Sequence, residues 1–325
     1  VIDASERFQL LTEIQQEFER EAESLPGSLR SMVLRSYAPD DADSPGLLSL
    51  AALPFWLGEA LGVEKDACRD LAVGNLYLLH LFQSFDSIVD EDRPEIDTRS
   101  QAVLGNLCYH KVLRRYLLHL SPSPAFWERM AAYWQEWAEC MMWEVEITSL
   151  GYPAYARGLE SEYIRIAAHK AAALKICPTA MALMVRRPEL IPLLEDCVDG
   201  MHSVMQLVDD LFDWREDYLH GRYNALLGLG VSQNLLDPAY EADGQAIERL
   251  SSILVEGSLA QDYLRIVDDF AIHATTTIAA AQSRLAEGGP ALGPWIRLVD
   301  GLVEQIRHRI GLFQQVANGL KLPAL

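Results

Sequence analysis

Two groups of aspartates in this sequence are spaced for joint chemistry. The first ends the apolar stretch 79–92, where Asp86 and Asp90 stand four residues apart. On a helix that spacing puts both carboxylates on one face, one turn apart. The second runs through Gln206, Asp209, Asp210, Asp213 and Asp217. There Asp209, Asp213 and Asp217 repeat every four residues, a stripe of three carboxylates. Like charges at this spacing destabilise a helix, and anions at a helix C-terminus oppose the macrodipole. A divalent cation relieves both penalties. Carboxylate oxygens suit Mg²⁺, which commonly bridges a few carboxylates and substrate phosphates. Two such ladders, each closing an apolar helix, point to a shared cavity mouth; solvated acidic helix ends are the plainer alternative.

Cations that could face an anion held there come next. Arg165, His169 and Lys170 sit in a stretch otherwise rich in small apolar residues, Ile164 to Ala173. Lys170 is a candidate diphosphate ligand, with a snorkelling surface lysine as the alternative. Arg93 follows the first ladder and Arg222 the second, and either would serve the same anion. Trp295 and the group Arg307, His308 and Arg309 are expected to face solvent.

The elements that must position these residues read as helices throughout. Apolar periodicity predicts them near 4–24, 28–37, 46–62, 65–92, 97–119, 124–149, 157–186, 189–220, 242–256, 258–286 and 292–318, with no strand alternation. The stretch from Gly228 to Pro238 reads as a connection. Segments 67–90, 165–185 and 195–213 are apolar on more than one face. Central helices ringed by outer ones account for that, so the chain, 1–325, is expected to form one all-α domain around a central cavity.

Composition narrows the partners. The 325 residues carry 27 Lys+Arg against 47 Asp+Glu, a net charge of −20, which argues against nucleic acid and anionic membrane surfaces. No uncharged apolar run is long enough for a transmembrane helix, and Val1 to Glu21 is too mixed for a signal peptide. Cys68, Cys108, Cys140, Cys177 and Cys197 are odd in number and widely spaced. They read as buried free thiols of a reducing, cytoplasmic protein.

The motifs resemble those of the class I isoprenoid synthases, meaning trans-prenyl diphosphate synthases and class I terpene cyclases. Asp86-Ser-Ile-Val-Asp90 resembles the first aspartate-rich motif, with Ser87 in place of its second acid. Glu162 to Ala172 resembles the helix whose lysine touches diphosphate. Gln206-Leu-Val-Asp209-Asp210-Leu-Phe-Asp213 is similar to the second motif, and Asp209, Asp213 and Asp217 have the spacing of the cyclases' metal triad. The likeness covers about residues 45–225. It implies that these five acids hold Mg²⁺, three ions with substrate bound. It also implies that Lys170, Arg165, Arg93 and Arg222 bind the diphosphate of a prenyl substrate. Tyr77, Phe82, Phe85, Gln206 and Phe212 would line the cavity that shelters the allylic cation, where ring faces contribute about 0.5–2 kcal/mol each.

Two departures shape the expected activity. The Gly-Gly-Lys-x-Arg-x-x-Pro segment that binds isopentenyl diphosphate has no counterpart around 28–46, and Arg93-Pro94 stands where Arg-Arg-Gly usually follows the first motif. A terpene cyclase is therefore favoured over a prenyltransferase using another acceptor, and both over chain elongation or a non-catalytic partner subunit. A homodimer is common in such a family and is permitted here.

Overall fold

A computed structural model of the chain describes residues 4–35, 45–90, 98–120, 123–151, 168–236, 244–256, 258–285 and 292–317. The helices are α1 (Ala4–Ala22), α2 (Gly27–Arg35), α3 (Pro45–Leu61), α4 (Lys65–Asp90), α5 (Thr98–Leu117), α6 (Pro124–Leu150) and α7 (Ile176–Met184). They continue as α8 (Ile191–His220), α9 (Ala225–Ser232), α10 (Gly244–Glu256), α11 (Ser258–Leu285) and α12 (Gly293–Ala317). Among the described residues there is no strand, so the all-α expectation holds. None of the described helices is long and apolar enough to cross a membrane.

The helices fall into two compact units. The first comprises Val1–Ala131, Ala173–Glu195 and Ala281–Pro294. Its centre is α4, which packs along α3 and α5. Asp66 in its first turn suits the positive end of the helix dipole. Leu71, Ala72, Val73, Leu76, Tyr77, Leu78 and Leu81 are all buried, so more than one face is covered, as the sequence pattern required. Gly74 makes the approach of α5 close. A Cβ there would stand 2.9 Å from the Tyr116 ring. The Tyr116 hydroxyl donates to Asn75 Oδ1 at 2.6 Å, so both buried polar groups are satisfied.

Charge ties α1 to this pair. Arg115 donates to Glu17 (2.7 Å), to Glu21 (2.8 Å) and to Asp70. Lys111 bonds Glu21 at 2.7 Å, and His119 meets Asp70 at 2.6 Å. Burial acts to raise the Glu21 carboxyl, but the bonds from Lys111 and Arg115 outweigh it and hold it below its ordinary range.

The second unit comprises Ala132–Ala172, Asp196–Ala280 and Trp295–Leu325. Within it α8 and α11 approach backbone to backbone: a Cβ at Gly200 would lie 3.0 Å from Ala274 Cα. Further along, the buried Tyr263 hydroxyl donates to the Leu207 carbonyl at 2.7 Å. Trp214 and Trp295 are fully buried, which overturns the expectation that Trp295 faces solvent.

Two of the expected helix boundaries need correction. A single helix over 157–186 does not form across its described part: a 3₁₀ segment, His169–Lys175, precedes α7, with Ala171 at φ −106°, ψ 17°. Pro178 supplies the reason. It lacks the N–H that would bond the Leu174 carbonyl, and its ring crowds that carbonyl. The connection expected from Gly228 to Pro238 is, in its first part, the end of helix α9 (Ala225–Ser232). Its glycines read as breakers, but Gly230 is there for packing, since a Cβ would meet Leu236 at 2.8 Å.

All five cysteines are buried and free. Burial pushes the Cys68 thiol up to about 11 and the other four to about 12.

Candidate active site

The second ladder occupies the last turns of α8. Asp209 and Asp213 are exposed and Asp217 is half-buried, while Asp210, one residue out of phase, is buried. The two adjacent acids therefore separate in role. Asp210 Oδ2 accepts from the Ala225 N–H at 2.9 Å and Oδ1 accepts from Gln206 Nε2 at 2.9 Å. Both oxygens are committed to building the structure. Asp209, Asp213 and Asp217 keep the four-residue stripe.

The loop beyond α8 locks the end of that stripe. Gly221 takes φ +67°, a conformation that favours glycine and stops the helix. Arg222 N–H then bonds the Asp217 carbonyl at 2.8 Å. Tyr223 sets its ring 5.3 Å from Trp143 of α6. Asn224 caps α9 and donates to Asp217 Oδ2 at 2.8 Å.

The charges reinforce one another. Burial pushes the Asp217 carboxyl up to about 7; the Asn224 bond and Arg222 oppose this, and the Asp210 and Asp213 charges add to it. Burial likewise pushes Asp210 up to about 7, against its bonds from Ala225 and Gln206 and the Lys170 charge. The ladder thus brings three carboxylates together at one helix end, beside the buried Asp210. Hard oxygen donors so grouped are of the kind a hard divalent cation takes. Among the described residues no group of three or more His, Cys, Asp or Glu side chains is placed to hold a metal ion.

Lys170 lies at the start of the 3₁₀ segment. Its ammonium meets Glu144 Oε1 of α6 at 2.6 Å, with a quarter of the side chain exposed. It is an anchored cation rather than a snorkelling one, and its charge reaches Asp210. Arg309 was expected to face solvent. It is half-buried, with its guanidinium 5.1 Å from the centre of the Phe212 ring, on the ladder's own helix. Nothing in local periodicity announces this, because residues 212 and 309 meet only in the fold. Arg307 and His308 are the exposed residues of that group, and Arg307 pairs with Asp268 and Glu304.

The remaining candidates divide. Gln206 spends its amide on Asp210. Phe212 is 42% exposed. Phe85 is half-buried and leans on α5, where Gly105 leaves room for its ring; Phe82 is half-buried too. Tyr77 is wholly buried against Phe18 of α1, ring centres 4.8 Å apart, with the Lys111 ammonium 5.8 Å from its ring centre. That is a core position between α1 and α5. The Asp86 and Asp90 backbone forms the end of α4, but their side chains, and the whole of Arg93 and Arg165, lie outside the described residues.

No protein-family model and no curated protein matches the sequence. Solved structures do match. A geranylgeranyl pyrophosphate synthetase from the archaeon Geoglobus acetivorans aligns with a TM-score of 0.72 at 16% identity, over 91% of this chain and 98% of that one. A geranylgeranyl pyrophosphate synthase from Lactobacillus brevis gives 0.69 at 14%, over 91% and 96%. A polyprenyl synthase from Caulobacter crescentus, complexed with calcium and isoprenyl diphosphate, gives 0.69 at 14%, over 92% and 94%. At such identities it is the fold alone that is shared: the chain has the all-α fold of these geranylgeranyl pyrophosphate and polyprenyl synthases.

Proposed function

We propose that the protein is a Mg²⁺-dependent enzyme that ionises a prenyl diphosphate, and that it acts as a terpene cyclase. The observation that carries this reading is the four-residue stripe Asp209, Asp213 and Asp217 at the end of α8, its last member held by Asn224. Together with Asp86 and Asp90 these acids are the metal ligands of the reading. The bound Mg²⁺ supplies Lewis-acid stabilisation of the departing diphosphate. Lys170, held by Glu144, and Arg222, with Arg93 and Arg165, bind the diphosphate oxygens and offset the charge that develops as the C–O bond breaks. Apolar and aromatic side chains, Phe82, Phe85 and Phe212 among them, keep water from the allylic cation.

The missing isopentenyl diphosphate motif supports cyclisation of one substrate. The names of the matching structures favour a second reading, transfer of the prenyl group to an acceptor, with chain elongation as one form of it. The rest of the reading is one catalytic domain over the whole chain, working in the cytoplasm, and as a homodimer. Nucleic acid and stable membrane insertion have no part in it.

The test is incubation with Mg²⁺ and geranyl, farnesyl or geranylgeranyl diphosphate, each alone, with diphosphate release and volatile products measured. Terpene hydrocarbons or alcohols from a single substrate are expected. Turnover only when isopentenyl diphosphate is added replaces the cyclase with elongation. No diphosphate release from any prenyl substrate, alone or with acceptors, overturns the reading.

A further inference from the structure

Asn224 is fully buried, and its one amide group makes four hydrogen bonds. Its Oδ1 accepts from the N–H groups of Leu226 (3.0 Å) and Leu227 (3.3 Å), capping α9. Its Nδ2 donates to the Asp210 carbonyl at 2.7 Å and to Asp217 Oδ2 at 2.8 Å. A cap needs only an acceptor, and Ser, Thr or Asp would serve nearly as well. The two donations are what single out asparagine. A hydroxyl is too short to cap α9 and reach Asp217 as well, and an aspartate has no N–H to offer. The Asp210 carboxylate braces the same turn by accepting from the Ala225 N–H.

Resting on the metal-binding reading of the ladder, we propose that Asn224 is a positioning residue for Asp217, holding it through Oδ2 so that Oδ1 is presented to a divalent cation. Asp217 stands in the last turn of α8, half-buried. The Asn224 bond fixes one of its oxygens, and the direction of the other follows. Groups that orient a metal ligand in this way change metal affinity or activity by about 10–100-fold when lost.

The experiment uses the full chain with Mn²⁺ as the probe, in the presence of inorganic diphosphate, and reads binding by electron paramagnetic resonance. Asn224→Ser and Asn224→Thr keep the cap and remove the bond to Asp217; two variants guard against one failing to fold. Asp217→Asn is the control. Both Asn224 variants should melt within a few degrees of the parent in metal-free buffer, while the Mn²⁺ Kd rises about 10–100-fold. The Mg²⁺ concentration for half-maximal diphosphate release should rise in parallel, with kcat at saturating metal little changed. Asn224→Ser placed on Asp217→Asn should add no further loss of affinity. Parental Mn²⁺ affinity in the folded variants, or losses that simply add, overturns the inference and leaves the ladder standing. Unchanged Mn²⁺ affinity in Asp217→Asn removes Asp217 as a ligand, and the inference with it.

Discussion

Arg115→Met tests how the first unit holds α4, the helix that ends in Asp86 and Asp90. The Arg115 side chain is only 14% exposed and bonds three carboxylates, Glu17, Glu21 and Asp70. Methionine keeps much of the apolar stem but leaves those acids short of a cation. Lys111 still serves Glu21 and His119 still meets Asp70, so Glu17 loses most. Breaking a buried ion pair by removing one partner costs about 3–5 kcal/mol. With part of the load still carried and the acids 15–26% exposed, about 2–4 kcal/mol is the expected loss. For a chain this long, an unfolding entropy of about 2.1 cal/mol/K per residue makes that a fall in Tm of about 3–6 °C.

The pH dependence gives the sharper test of the same variant. In the parent, the Glu21 carboxyl is held below its ordinary value of 4.5, so its contribution is whole above pH 4.5 and lost as pH falls through the folded value. In the variant Glu21 keeps only Lys111, so less of that contribution is there to lose. The gap between the two melting curves should hold from pH 7 to 4.5 and narrow as pH falls further, followed by circular dichroism. A variant that melts within a degree of the parent at pH 7, or a gap that closes above pH 4.5, refutes the reasoning.

At the ladder, Asp213→Asn should cut diphosphate release by about 100-fold or more, while an exposed site like this changes stability by no more than about 0.5 kcal/mol in denaturant titration. Chelating divalent cations should stop diphosphate release, and adding Mg²⁺ should restore it; full activity in excess chelator would sink the metal reading. Gly200→Val forces apart the α8 and α11 backbones and should cost about 1–3 kcal/mol in the same titration. Tyr263→Phe removes the bond to the Leu207 carbonyl and should cost about 0.5–1.5 kcal/mol.

The helices and the acid stripe were legible because both depend on local spacing. A period of four shows in Asp209, Asp213 and Asp217 whatever the rest of the chain does. The division of labour between Asp209 and Asp210 was not legible, since it depends on which face α8 buries and on what α9 offers to that face. The capping role of Asn224 has no signal of its own in the sequence, where Gly228 and Gly230 mask α9. The break before α7 was visible in principle at Pro178. Arg309 against Phe212, and the Arg115 network, join residues remote in sequence, and no spacing rule brings them together.

The buried thiols have a practical side. A thiol with a pKa of about 11 or 12 is ionised to about one part in a thousand or less at pH 8, so the native chain should be nearly silent to alkylating reagents. Whatever reaction occurs then counts openings of the structure. Cys68, Cys108 and Cys177 belong to the first unit, Cys140 and Cys197 to the second. Mass-resolved labelling of the unmodified protein can therefore report how often each unit opens, one against the other, with no probe introduced. The same silence leaves a clean background on which a single cysteine placed beside the ladder would be the one reactive site.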